Sequence, residues 1–352
     1  MKKNPKILAI NTGSTSTKIG LFEGDKLLFS HNEHHSSKDL DSLKEFKEQV
    51  NFRKEKISQL LKEKDIAPED IDLFMCRGGL LKPVESGVYQ VGSKMLKDLE
   101  NASKQHASNL AAVVGYELSP DKKNVFIADP VVVDEMQDVA RYSGHKDFER
   151  ISIFHALNQK AVARRYADKI GKKYENLNLI VAHMGGGVSI GAHQKGKVID
   201  VNQALDGEGP FSPERSGSLP VGDVLNKAFS GRYSYDEMKK MLVGEGGLVS
   251  YLGTNNLKEI ESNLDPKAKK ILEAMAYQIA KYIGEMAVVL KGEIDAIILT
   301  GGVAYSDLIT EYIRNYVDFL APGEIYPGED EMKALAYNGK LLWENKLQAK
   351  KY

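Results

Sequence analysis

Short apolar runs separated by compact polar turns dominate the first thirty residues. Ile7–Ile10 is continuously apolar, Thr17–Phe22 enters a second apolar run, and Lys26–Ser30 follows the turn Glu23-Gly24-Asp25. That pattern predicts three short strands in a meander. From Asp39 to Lys64 the chain is charged, with Leu43, Phe46, Val50, Ile57, Leu60 and Leu61 at roughly helical spacing, which predicts an amphipathic helix. Ile71–Cys76 and Asn124–Ala128 read as buried strands, and 103–118 and 153–170 carry helical patterns.

The opening pattern then returns. "PKILAINTGSTSTKIGLFEGDKLLF" and "LNLIVAHMGGGVSIGAHQKGKVIDV" share an apolar strand, a turn with glycine and serine, a second strand, a tight turn and a third strand. This internal repeat predicts two related halves, each bringing one glycine-bearing turn to a common cleft. The first half runs over 1–150 and the second over 151–332, with a last helix, 333–352, packing back on the first. A helical pattern over 266–290 precedes "EIDAIILTGGVAYSDLITEYI", where a Thr-Gly-Gly turn feeds a helix, a natural phosphate or nucleotide contact. The polar stretch "NTGSTSTK" (11–18) is longer than the two to five residues that a tight hairpin needs, so a polar group is expected against it.

Composition narrows the classes. With 352 residues, 42% hydrophobic, 28% charged and a net charge of −1, the chain suits a two-domain soluble protein with no strong field for nucleic acid or anionic membrane. No stretch approaches the roughly 20 apolar residues of a membrane helix, and the start is too weakly apolar for a signal peptide. The single cysteine, Cys76, excludes an intrachain disulfide and reads as a small core residue. A cytoplasmic location is expected.

Two motifs mislead. "GAHQKGK" (191–197) matches most of a P-loop, but Val198 stands where Ser or Thr must reach magnesium, and the segment lies between strands; a hairpin turn is expected. His31, His34 and His35 are spaced as possible metal ligands but sit in a charged loop, read as solvated.

The chemistry-bearing positions fall at strand ends and glycine turns, where open α/β sheets place ligands. They are Arg77 in "CRGG", Asp129 in "IADP", His155 in "SIFHALNQ", His183 in "HMGGGVS", Arg215 in "GEGPFSPERSGSLP" and Glu331 in "PGEDEMKALA". Two arginines to neutralise equatorial oxygens, carboxylates to hold magnesium and two phosphate-receiving turns describe a phosphoryl-transfer site.

In "INTGSTSTKIGLFE", "CRGGLLKPVESGVYQV", "ADPVVVDEM", "SIFHALNQKAVAR", "VAHMGGGVSIGAH", "VIDVNQALDGEGPFSPERSGSLP" and "LTGGVAY" the chain resembles the acetate and butyrate kinase family over nearly its whole length, in particular its butyrate and branched-chain branch. The resemblance implies an α/β, actin-like (ribonuclease H-like) duplicated two-domain fold, with mixed sheets flanked by helices and a nucleotide cleft between the domains. It implies phosphorylation of a short-chain carboxylate by ATP to acyl phosphate and ADP, with Mg2+, in a homo-oligomer.

Residue by residue, the resemblance puts Asn11, Ser14, Ser16 and Lys18 in the first phosphate hairpin and His183, Gly185, Gly186 and Gly187 in the second. Thr300, Gly301, Gly302, Val303 and Ala304 match the turn under the adenosine, and Thr254, Asn255 and Asn256 flank the base or ribose. Arg77, His155 and Arg215 match the transition-state clamp, and Asp129 and Glu331 the acids that orient magnesium through water. Anchoring on Pro327 instead selects Asp330 for the last acid. Gly78 and Gly79 stand where acetate kinases carry bulkier residues, so with Phe154 as an apolar wall they imply room for butyrate-sized or branched chains.

Three other readings compete. An acetate or propionate kinase of the same family would keep the mechanism. A sugar kinase would need a carboxylate base and usually shows aspartate where Asn11 stands. A non-enzymatic nucleotide switch would not need the set Arg77, His155 and Arg215.

Overall fold

Strand β1 (Lys6–Thr12) runs antiparallel to β2 (Ser16–Glu23), which pairs in turn with β3 (Lys26–His34), so the meander forms as its pattern dictates. The structure, a computed structural model, describes residues 4–13, 15–36, 39, 40, 43, 45–102 and 106–352; Ser14 lies outside the described residues. Helix α1 (Phe46–Glu63) follows, then β4 (Leu73–Arg77), β5 (Val88–Gln90), α2 (Ser93–Glu100), α3 (Ser108–Leu118) and β6 (Val125–Ala128). The sheet order is β3-β2-β1-β4-β6-β5, with β4 parallel to both β1 and β6.

Alternation divides the faces of this sheet. Leu8, Ile10, Phe74, Cys76, Val125 and Ile127 pack with Val50, Ile57, Leu61 and Leu110 from α1 and α3. Cys76 is fully buried, and burial pushes its thiol pKa up, so it serves as core rather than nucleophile.

The second unit opens with a short hairpin, β7 (Tyr142–His145) and β8 (Phe148–Glu149), and helix α4 (Ala156–Lys169). The meander then recurs as β9 (Asn178–Met184), β10 (Val188–Gln194) and β11 (Lys197–Val201). Helices α5 (Val221–Ala228), α6 (Tyr235–Leu242), α7 (Gly247–Leu252), α8 (Leu257–Ser262) and α9 (Pro266–Val289) lead to β12 (Ala296–Gly301), α10 (Asp307–Val317) and β13 (Gly323–Pro327). The order β11-β10-β9-β12-β13 repeats that of the first sheet's β3-β2-β1-β4-β6, antiparallel meander first and parallel strands after. Helices α9 and α10 cover one face through Ile180, Ala182, Leu272, Ile279 and Ile309. Helix α4 covers the other, setting Val162, Ala163 and Ala167 against Leu179, Val181 and Ile298.

Contacts divide the chain into one unit of Met1–Val133 with Asp330–Tyr352 and another of Asp134–Glu329. The last helix, α11 (Glu331–Trp343), belongs to the first unit, where Gly339 lies so close to Met75 and Ile7 that a Cβ would stand 2.8 Å from Met75 Cγ. Beyond it, the backbone of Lys350 pairs with Val88 and Gln90.

The P-loop-like segment is a two-residue hairpin, with Lys195 and Gly196 at φ +48° and +85°, the conformation that such a turn requires. His31 and His34 lie exposed on β3, against Glu33 and Asn32, while His35 turns inward onto the Thr17 hydroxyl.

Candidate active site

In the first unit the polar groups gather at the ends of β1 and β4. Arg77, the last residue of β4, donates from Nη1 to Asn11 Oδ1 at 3.3 Å and stands 3.5 Å from Glu331 Oε2. Asn11 Nδ2 donates to the same Glu331 oxygen, which closes a triangle of three side chains from β1, β4 and the first turn of α11. Asp330 points elsewhere: it sits at the helix N-cap position and pairs with Lys333 at 2.6 Å. Lys18 is opposite Asn11 in the ladder and exposed. Ser16 accepts the Gly13 amide on its carbonyl at 2.8 Å, which closes the turn. Beneath that turn lies Arg53, only 1% exposed, holding the Gly13 carbonyl at 3.1 Å.

Asp129 follows β6 at φ +37°, a left-handed conformation rare for a residue with a side chain. Its Oδ1 accepts from Ser86 Oγ at 2.6 Å and Gly87 N at 2.9 Å, which holds the carboxylate in place. Among the described residues no three His, Cys, Asp or Glu side chains form a metal cage. Buried Asp129 and Glu331 are hard oxygen donors, and magnesium usually keeps several waters while taking one or two carboxylates and the substrate's phosphates. The donor set fits that kind of binding.

A side chain on Gly78 would collide with Pro130, and one on Gly79 would reach Asn109 Oδ1 at 2.5 Å. Bare backbone is thus required here by close packing against Pro130 and Asn109, a reason that the sequence did not disclose.

In the second unit, β9 carries His183 into the turn Gly185–Gly187. His183 Nδ1 meets Asn158 Oδ1 at 2.8 Å, while its Nε2 lies 3.0 Å from the Glu329 carboxylate without the alignment of a hydrogen bond. His155, just before α4, stacks on His183 with centroids 3.8 Å apart and planes 10° from parallel, and its Nδ1 is 2.9 Å from Ser189 Oγ. Phe154 beside it is buried.

Arg215 donates from Nη1 to the Ala204 carbonyl, and its buried Nε has no hydrogen-bond partner. Burial pushes its pKa down against the pull of Glu214 and Asp206. Gly187 must be bare, because a Cβ would strike the Arg215 guanidinium. Ser212 Oγ ties the arginine loop to the turn, donating to the Gly186 carbonyl at 2.5 Å and accepting the Arg215 amide at 3.0 Å.

At the end of β12, Gly301 has φ +90° and lies against the Met184 backbone. A 3-10 turn, Gly302–Tyr305, with Val303 and Ala304 buried, separates this glycine from α10, so the turn does not feed the helix directly. Thr300 is buried and its Oγ1 bonds the Gly328 carbonyl at 3.3 Å. Thr254 donates to Glu259 at 3.2 Å, Asn255 to Glu214 at 3.2 Å, and Asn256 caps α8.

Sequence reading missed Asn158, Gln159, Ser189, Arg53 and Glu329. The first two were within reach, since positions 155, 158 and 159 share a helix face by i, i+3, i+4 spacing. His193, buried beside Gln159, has its pKa held well below 6.5 by desolvation. Its folded value is depressed, so the unfolded chain binds the extra proton. Stability is therefore whole above about 6.5 and falls as pH drops through and below it. Urea midpoints across that range should decline, and less steeply in His193→Gln; equal slopes would contradict the assignment.

Two sheets of matching strand order, each sending a polar turn from its first hairpin, define a duplicated α/β core. Solved structures share it: an acetate kinase from Porphyromonas gingivalis (TM-score 0.81, 19% identity, covering 96% of this chain and 100% of that one) and a propionate kinase from Francisella tularensis (0.77, 19%, 95% and 98%). These establish the actin-like ATPase fold. The model of the acetokinase family matches residues 99–321. Butyrate kinases 2 and 1 of Clostridium acetobutylicum are 53% and 49% identical over 352 residues, covering 99% of each chain. The chain belongs to the acetokinase family and is a carboxylate kinase. Among the described residues no helix is long and apolar enough to cross a membrane.

Proposed function

We propose that the protein transfers the γ-phosphoryl group of ATP to a short-chain carboxylate, butyrate or a branched acid of similar size, giving acyl phosphate and ADP reversibly. The observation that carries the reading is the buried Arg215 guanidinium against the 185–187 turn, whose Nε lacks a hydrogen-bond acceptor. Leaving such a donor unsatisfied costs about 1–3 kcal/mol, and a phosphate oxygen supplies what it lacks.

A short-chain carboxylate, with pKa near ~4–5, is already ionised at neutral pH and needs no general base. His155 accordingly acts as a hydrogen-bond donor to the phosphoryl group in flight. Arg77 and Arg215 offset repulsion between the anionic nucleophile and the γ-phosphate. Asn11, Ser14, Ser16 and Lys18 receive phosphate in one unit, and His183 with Gly185–Gly187 in the other. Thr300–Ala304 and Thr254–Asn256 hold the nucleoside. Asp129 and Glu331, rather than Asp330, would hold magnesium through water, and the bound ion would supply positive charge against the charge that develops during phosphoryl transfer. Phe154 supplies an apolar wall for the acyl group. The butyrate preference draws its support from the near-full-length identity to the two butyrate kinases. We place the protein in the cytoplasm, with its nucleotide, as a homo-oligomer.

Hydroxylamine trapping of acyl phosphate tests the reading, with ATP, magnesium and acetate, propionate, butyrate, isobutyrate and valerate in turn. Greatest turnover on the four-carbon and branched acids is expected. Preference for acetate discards the acyl assignment, and no product from any acid, with ATP still bound, favours a nucleotide switch.

A further inference from the structure

A buried line of hydrogen bonds runs through the second unit from Tyr174 to His155, and the donor at each step is fixed by chemistry. The backbone carbonyl of Ser189 can only accept. Gln159 Nε2 lies 3.0 Å from it and 2.8 Å from Ser189 Oγ, so both amide hydrogens are directed to Ser189 and Oε1 faces away. That oxygen also can only accept, and its neighbour at 2.9 Å is His193 Nε2, which must carry hydrogen. His193 is kept neutral by burial, so its Nδ1 is bare and accepts from the Tyr174 hydroxyl at 2.6 Å.

In the other direction, Ser189 Oγ already receives the Gln159 amide and, at 3.5 Å, the backbone N–H of His155. Its own hydrogen is left for His155 Nδ1, at 2.9 Å. An imidazole that accepts at Nδ1 and is neutral carries its proton on Nε2. Stacking on His183 fixes the plane of the ring. Gly191 leaves room for the line, since a Cβ there would stand 2.6 Å from Gln159 Oε1.

We propose that Ser189, Gln159 and His193 are positioning residues that hold His155 as its neutral Nε2–H tautomer, so that the ring offers the transferring phosphoryl group a donor and never a lone pair. The inference rests on the donor role assigned to His155 above. The opposite tautomer would aim a lone pair at anionic oxygens. Because the carboxylate nucleophile needs no base, nothing is lost by keeping that lone pair turned inward.

Long-range 1H–15N correlation spectra of the full-length, histidine-labelled protein without nucleotide read the tautomer directly, with His155 identified by its loss in His155→Gln. Nδ1 should be unprotonated and Nε2 protonated. In Gln159→Glu the acceptor toward His193 remains but both amide donors are gone. The Ser189 hydroxyl then turns to the new carboxylate, and Oγ accepts from His155 Nδ1–H. The tautomer should reverse and kcat fall about 10- to 100-fold with little change in the KM for ATP. Ser189→Thr should keep the tautomer and kcat, and Ser189→Ala should lose both; this pair gives the answer if Gln159→Glu does not fold. Nδ1–H on His155 in the unaltered protein, or a tautomer unmoved in Gln159→Glu and Ser189→Ala, overturns the proposal. The expected tautomer in a protein that makes no acyl phosphate overturns the kinase reading alone.

Discussion

Arg215→Ala should lower kcat by about 10²–10³-fold, a loss of roughly 3–4 kcal/mol of transition-state stabilisation, while the KM for ATP changes little. The guanidinium is held at one end by the Ala204 carbonyl and keeps Nε without an acceptor, so one donor is anchored and another waits. Arg215→Lys should be nearly as damaging, because a point charge cannot reproduce the planar fork. Arg77→Ala should act in the same direction and also leave Glu331 without its ion-pair partner at 3.5 Å. Initial rates across ATP and acid concentrations measure both. An unchanged kcat with only a weakened KM would remove these residues from the clamp.

Lys160→Met should destabilise the protein by about 3–5 kcal/mol, the usual consequence of stripping one partner from a buried ion pair. The Lys160 side chain is 0% exposed; its Nζ donates to Glu135 Oε2 at 2.6 Å and to the Gly196 carbonyl at 2.8 Å. Glu135 also accepts the Val198 amide at 2.9 Å. The double change Lys160→Met with Glu135→Leu should recover most of the loss, since two well-packed apolar groups replace a desolvated pair. Urea midpoints at constant slope read the difference. A single variant within about 1 kcal/mol of the parent would show that the pair carries no such weight.

The two meanders were legible because a period-two pattern and a tight turn are local signals, and their repetition exposed the second sheet. Arg77, His155, His183 and Glu331 each have an ordinary structural use at a strand or helix end, and they were singled out only as a set, beside two glycine-bearing turns. Gln159 and Ser189 did not. Their meaning depends on α4 lying beside β10, and on the register that sets Ser189 opposite His183, a relation between segments about thirty residues apart. The helix expected over 103–118 begins at Ser108, and α2 was not anticipated: its N-cap position is Gly92, which offers no side-chain cap to read. Asn256 had a local reading in Asn-x-x-Glu, a helix start, which the structure shows it to be.

The return of α11 to the first unit sets the order in which the chain can mature during synthesis. Residues 134–329 form a contiguous unit that can complete its core as soon as it leaves the ribosome. The first unit cannot, although its sheet is made earlier. The face of Ile7 and Met75 waits for Gly339, and the edge at Val88–Gln90 waits for Lys350. The half translated first is therefore finished last, and until then an apolar sheet face is exposed to whatever binds nascent chains.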